Sequence, residues 1–236
     1  MFTFTWLGQG GFLLRCGDNT IVIDPYLSDS VSTLDGFHRL LPLPLQPEAL
    51  AGDLLITTHD HLDHLDPDTL KKTDPIRNRY AGPEDCLRHM RELGLPEARL
   101  TRLAIGDTIR LNDCTVTGVP AVHTSPEAIG VTVEYGGRKL YFSGDTLYDE
   151  ALFPIADMGI DMMFICINGR LGNMSYCEAA KLARRIGCKV CVPDHYAMFA
   201  ENTVDPELFV ASMEGSGIRV VLPEFNKETD IEALFA

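Results

Sequence analysis

The chain has 236 residues, 45% of them hydrophobic and 23% charged, with a formal net charge of −14. Those values exclude wholesale disorder and leave enough apolar chain for a sizeable core. The acidic balance argues against nucleic acid, whose phosphates it would repel. No run of about 18 apolar residues occurs, so no membrane-spanning helix is expected. The N-terminal "MFTFTWLGQGGFLL" has no basic leader, and the seven cysteines are odd in number and scattered through apolar segments. Both features point to reduced thiols and a cytoplasmic location.

Taken in order, "FTFTWLG", "GFLLRCG" and "NTIVIDP" read as strands separated by Gly-rich or Asp/Asn turns. "GDLLITTH" is a short apolar run, and "DPDTLKK" starts a helix that Asp66 caps with Pro67 in its first turn. Pro83–Gly94 has helical spacing and ends at glycine. Strand signals return in "GDTIRLNDCTVTGVPAVH" and in the hairpin "IGVTVEYGGRKLYFSGD", which turns at Gly136-Gly137. "DEALFPIADMG" reads as helix and "DMMFICI" as a buried strand. "SYCEAAKLARRIG" is a helix opened by a Ser175/Glu178 capping box. "KVCVPDH" is a strand, "DPELFVASMEGSG" a helix capped by Asp205, and "IRVVLPE" a last strand. Cys188 and Cys191 form a CxxC, but residues three apart in a strand face opposite ways, so a structural role is expected.

Strands followed by helices occur twice. A single domain over residues 1–236 is therefore expected, built from two similar halves (about 1–97 and 98–236), each a sheet with helices on one side. Stacked sheet against sheet, these give an α+β, four-layer αββα sandwich.

Chemistry concentrates in "HDHLDH": His59, His61, Asp63 and His64 lie between a strand and a capped helix. In an extended segment His59 and His61 point the same way and can reach one metal. Further ligand types close later strands: His123 after "TVTGVPAV", Asp145 after "KLYFSG" and His195 after "KVCVPD". Asp60, Asp66 and Asp68 are better explained as turn and cap residues, and His89 as a surface or packing residue.

This ordered set, His59, His61, Asp63, His64, His123, Asp145 and His195, resembles the ligand pattern of the metallo-β-lactamase fold superfamily. The closing segments "GRLGNMSYCEAAKLARRIG" and "CVPDHYAMFAENTVDPELF" resemble the branch containing L-ascorbate-6-phosphate lactonase. The resemblance implies the four-layer αββα fold and two divalent metal ions, Zn²⁺ or Mn²⁺, with Fe²⁺ also compatible. His59, His61 and His123 would hold one ion, Asp63, His64 and His195 the other, and Asp145 would bridge them. A hydroxide between the ions would attack a small ester, lactone or phosphoester, with Asp63 also catalytic as holder or acceptor of its proton. A phosphodiesterase on the same fold and a non-catalytic metal-binding regulatory protein are the alternatives. Asp24 and Thr58 are candidates for orienting the imidazoles. Asn168, Arg170, Tyr196 and Asn202 are candidates for substrate contact, Arg170 as an anion fork and Tyr196 as an oxyanion donor. The expected partner is a small molecule, and related lactonases suggest a homo-oligomer.

Overall fold

A computed structural model describes residues 1–236. The first six strands are β1 (Phe2–Gly8), β2 (Gly11–Cys16), β3 (Asn19–Ile23), β4 (Leu54–Ile56), β5 (Tyr80–Gly82) and β6 (Leu100–Arg102). The next four are β7 (Thr108–Leu111), β8 (Cys114–Pro120), β9 (Ile129–Tyr135) and β10 (Arg138–Phe142). The chain ends with β11 (Met162–Cys166), β12 (Val190–Asp194), β13 (Arg219–Val220) and β14 (Glu228–Asp230). Two mixed seven-stranded sheets result, ordered β14-β1-β2-β3-β4-β5-β6 and β13-β12-β11-β10-β9-β8-β7.

In the first sheet, β14, β1, β2 and β3 pair antiparallel, and β3 through β6 pair parallel. The second repeats the plan: β7 to β10 are antiparallel and β10 to β13 parallel. The repetition expected from element order is thus present in topology. The sheets do not divide near residue 97, however, because β6 completes the first sheet and β14 returns from the far end to pair Asp230 with Thr3. Having only Glu, Thr and Asp, β14 carries no apolar signal and is defined by backbone pairing.

Burial explains why the parallel strands read as unbroken apolar runs. Ile21, Ile23, Leu54 and Ile56 face the main core, whereas Val22, Leu55 and Tyr80 face a second one with Cys86, Leu87 and Met90 of helix α3 (Glu84–Glu92). Between the sheets, Phe12 meets Phe164 edge-on at 4.8 Å and Phe142 stacks on Phe164 at 4.2 Å. Each such ring contributes roughly 1.5–3 kcal/mol through burial. Helix α4 (Tyr176–Ile186) opens with the expected Ser175/Glu178 capping box and stops at Gly187, φ 73°. Asp66 caps α2 (Pro67–Leu70), and the Asp205 carboxylate accepts from the Glu207 amide at the start of α5 (Glu207–Ser212). A short α1 (Ser30–Asp35), not anticipated, ends at Gly36. Glu150–Met158 is 3₁₀ rather than α, consistent with Pro154 inside it, which can donate no i→i−4 bond. No helix is long and apolar enough to cross a membrane.

The CxxC geometry differs from expectation. Cys188 precedes β12 instead of lying in it, so the opposite-face argument does not apply to this pair. Both cysteines are free and buried, and burial, followed by the neighbouring Cys188 thiol, holds Cys191 well above the usual thiol range.

Gly118 in β8 shows how tightly the second sheet is closed. A Cβ there would overlap the Ala104 carbonyl oxygen, a backbone atom that cannot swing away as a side chain can. Gly118→Ala is expected to destabilise the fold by about 1–3 kcal/mol. Urea denaturation checks this: an unchanged midpoint at unchanged m-value would show that the strand edge yields freely.

Candidate metal centre

Each functional side chain follows the end of a strand, where the backbone stops pairing and side chains from several strands converge. After β4 the chain turns through His59, His61, Asp63 and His64, and this turn is held from behind by capped α2. His123 follows β8, Asp145 follows β10 and His195 follows β12. The structure brings all seven residues together, in three groups whose donor atoms lie within 4.8 Å of one another. These are His59, His61 and His123; Asp63, His64 and His195; and His59, His64 and Asp145. Asp145 approaches both outer groups, with carboxylate oxygens 2.6 Å from His195 Nε2, 3.3 Å from His64 Nε2 and 3.8 Å from His123 Nε2.

This donor set fits divalent cations. His61 Nδ1 lies 3.1 Å from His123 Nε2, and His64 Nε2 lies 3.1 Å from His195 Nε2. Two nitrogens on one tetrahedral zinc would be roughly 3.3 Å apart. The buried His59 Nε2 has no hydrogen-bond partner in the protein, which a bound cation would remedy. Seven nitrogen and oxygen donors without a thiolate suit Zn²⁺, Mn²⁺ and Fe²⁺ alike.

Electrostatics agree. Burial alone would keep His64 neutral, but the carboxylates of Asp145, Asp63 and Asp24 outweigh it and hold its pKa well above the ordinary value. Burial likewise opposes charge on His195, and Asp145 overcomes it. Asp145 is buried too, yet His195 and His64 hold it well below the carboxylate range. His59 goes the other way: burial and then His64 push it well below the usual imidazole value. Carboxylates thus draw positive charge into a desolvated place.

Ring orientation is set by a second layer. Asp24, at φ 46° just past β3, accepts from the Thr58 amide, the Thr58 hydroxyl and His64 Nδ1, each at 2.7 Å. Having donated to Asp24, the Thr58 hydroxyl is an acceptor for His59 Nδ1 at 3.1 Å. One carboxylate therefore fixes two imidazoles with Nε2 turned to the centre. His123 Nδ1 is held by the Gly172 carbonyl at 3.0 Å. Gln9, for which the sequence reading had no role, places its side-chain nitrogen 2.8 Å from Asp63 Oδ2 and 3.0 Å from His195 Nδ1. At its neighbour Gly10 a Cβ would press on the His64 ring at 3.0 Å, so a side chain there would have to displace that imidazole. The "GQGG" turn was the available signal.

Of the four residues read as substrate contacts, Asn202 alone lines the cavity beside the donors. Asn168 donates to Asn202 Oδ1 at 2.8 Å and so sits one layer back. Arg170 points its guanidinium at the Glu201 carbonyl, 3.2 Å away. Tyr196 belongs to the main core, its ring 4.9 Å from that of Trp6. Asp60, read as a turn residue, lines the cavity and lies 3.5 Å from His89.

Residues 19–196 match the family model described as a beta-lactamase superfamily domain. A "UPF0173 metal-dependent hydrolase" of Pyrobaculum islandicum is 30% identical, over 92% of this chain and 94% of its own length. The chain belongs to this hydrolase family. Among solved structures, the metallo hydrolase Igni18 of Ignicoccus hospitalis superposes with a TM-score of 0.77 at 21% identity, over 97% of both chains. The metallo-beta-lactamase fold protein YhfI of Bacillus subtilis does so with a TM-score of 0.72 at 16% identity, over 98% of this chain and 100% of that one. Those two similarities establish the fold as that of the metallo-β-lactamases. The relationship and the His/Asp clusters agree on a metal-dependent hydrolase.

Proposed function

We propose that the protein is a binuclear hydrolase of the lactonase type, acting on a small ester, lactone or phosphoester. The observation that carries this reading is the convergence of seven His and Asp donors, grouped as two triads with Asp145 reaching both. His59, His61 and His123 would hold one ion, Asp63, His64 and His195 the other, and Asp145 would lie between. When bound, such ions supply Lewis acidity at a carbonyl or phosphoryl oxygen and lower the pKa of water.

The remaining work falls to the chain's own residues. Asp24, through Thr58, keeps the imidazoles aimed without reorganisation during turnover. Asp63 faces the cavity and is steadied by Gln9, so its carboxylate is placed to accept a proton from the attacking water and return it to the leaving oxygen. Asn168 commits the Asn202 carbonyl oxygen, which leaves the Asn202 amide hydrogens for the substrate.

The test is metal analysis of the protein as isolated, then assays on lactones, p-nitrophenyl esters and bis-p-nitrophenyl phosphate with that metal restored. Two metals per chain and turnover that a chelator abolishes are expected. Turnover of the diester alone would make the protein a phosphodiesterase. A fully loaded protein inert across all three classes would point to a binding or regulatory role.

A further inference from the structure

Next to the donors opens a cavity of about 610 Å³, with His61, Asp63 and Asp145 on its wall. Beyond them five apolar side chains line it, Val31 of α1, Phe37, Leu62, Leu171 and Phe199, beside the polar Asp35, Asp60, Thr124 and Asn202. Leu171 is the most informative. The residue is 60% exposed and its backbone sits at φ 53°, a left-handed conformation that leucine rarely adopts. Gly172, which follows it, anchors His123 through its carbonyl. An apolar side chain is therefore held in an unfavourable backbone state at the mouth of the site, the kind of strain that collects at ligand-binding positions.

Charge on the lining is one-sided. Asp35 and Asp60 add carboxylates, and no Lys or Arg contributes. Two arginines outside the lining are engaged elsewhere: Arg39 donates to the Ser28 carbonyl and lies over the Tyr26 ring, and Arg170 donates to the Glu201 carbonyl. An anionic tail seated beyond the metal donors would lose hydration against apolar walls and face Asp35 and Asp60 with no Lys or Arg in the lining. An alkyl or aryl tail would exchange water for apolar contact on several sides.

Resting on the hydrolase reading above, we infer that the cavity seats an uncharged, apolar acyl group of an ester or lactone and rejects substrates bearing a phosphate or carboxylate on that side. In the reaction, water adds across the acyl C–O bond, giving the carboxylic acid and the alcohol.

The test compares p-nitrophenyl acetate, p-nitrophenyl hexanoate and mono-p-nitrophenyl adipate on the metal-loaded protein. The adipate carries a terminal carboxylate at the chain length of the hexanoate. kcat/KM is expected to rise at least ~10-fold from acetate to hexanoate and to fall at least ~10-fold from hexanoate to adipate. Calorimetric binding of hexanohydroxamic acid and adipic monohydroxamic acid reads the same preference without turnover, and the same ratio is expected. Leu171→Asp should collapse both preferences to within ~3-fold. Leu208→Asp, at an exposed leucine of α5 that does not line the cavity, should leave them intact. A hexanohydroxamate preference without turnover of any ester would support the cavity assignment while removing the esterase reading. Equal or better use of the adipate, or equal binding of its hydroxamate, would overturn the assignment even if hydrolysis stands.

Discussion

Replacing Asp145 with alanine is expected to abolish measurable hydrolysis and to weaken binding of both ions by more than ~100-fold. That exceeds the 10–100-fold typical of groups that only orient ligands. The expectation follows from position: Asp145 approaches His195 and His64 on one side and His123 on the other, so no other carboxylate can replace it. It is also 5% exposed, so water cannot restore the lost negative charge at equal strength. Metal titration followed by calorimetry checks this, with circular dichroism confirming an intact fold. Retention of two ions at unchanged affinity would show that Asp145 does not lie between them.

Asp24→Asn is the second large effect, and it isolates hydrogen-bond direction from backbone strain. Asparagine tolerates positive φ about as well as aspartate, so the φ of 46° at this position is not disturbed. Three donors point at the carboxylate: the Thr58 amide, the Thr58 hydroxyl and His64 Nδ1. An amide has one acceptor oxygen, so one orientation opposes its NH₂ to the Thr58 amide and the other opposes it to the hydroxyl and His64. In the second case the hydroxyl turns, His59 takes the wrong tautomer, and its proton points into the centre. Metal affinity should fall 10–100-fold, with about 1–3 kcal/mol lost from the metal-free fold. Wild-type affinity in this variant would mean that Thr58 and the imidazoles hold their orientation without Asp24.

The sequence shows the ligands because their chemistry forces a visible pattern. Placement at strand ends is a local property, and His59 through His195 can be read that way, although His59 and His61 lie in a bend past β4 and not in the extended segment expected. Tyr196 is not legible in this way: β12 ends at Asp194 and His195 turns the backbone at φ 61°, which leaves its neighbour against Trp6 in the core. Gln9 is hidden for a different reason: its side chain acts 54 and 186 residues away, and no local period encodes that reach. The apolar cavity wall is likewise assembled from α1 and separate loops, each with one or two apolar residues and no repeat. The αββα architecture followed from element order. The crossing of β14 into the first sheet did not, because a three-residue polar strand is defined by its partner alone.

Every one of the three donor groups takes two members from before residue 65 and one from after residue 122. Neither sheet alone can complete a coordination sphere. Loading the protein is therefore equivalent to riveting its two sheets together at one edge, and a chelator would loosen the seam at the same moment that it silences the chemistry.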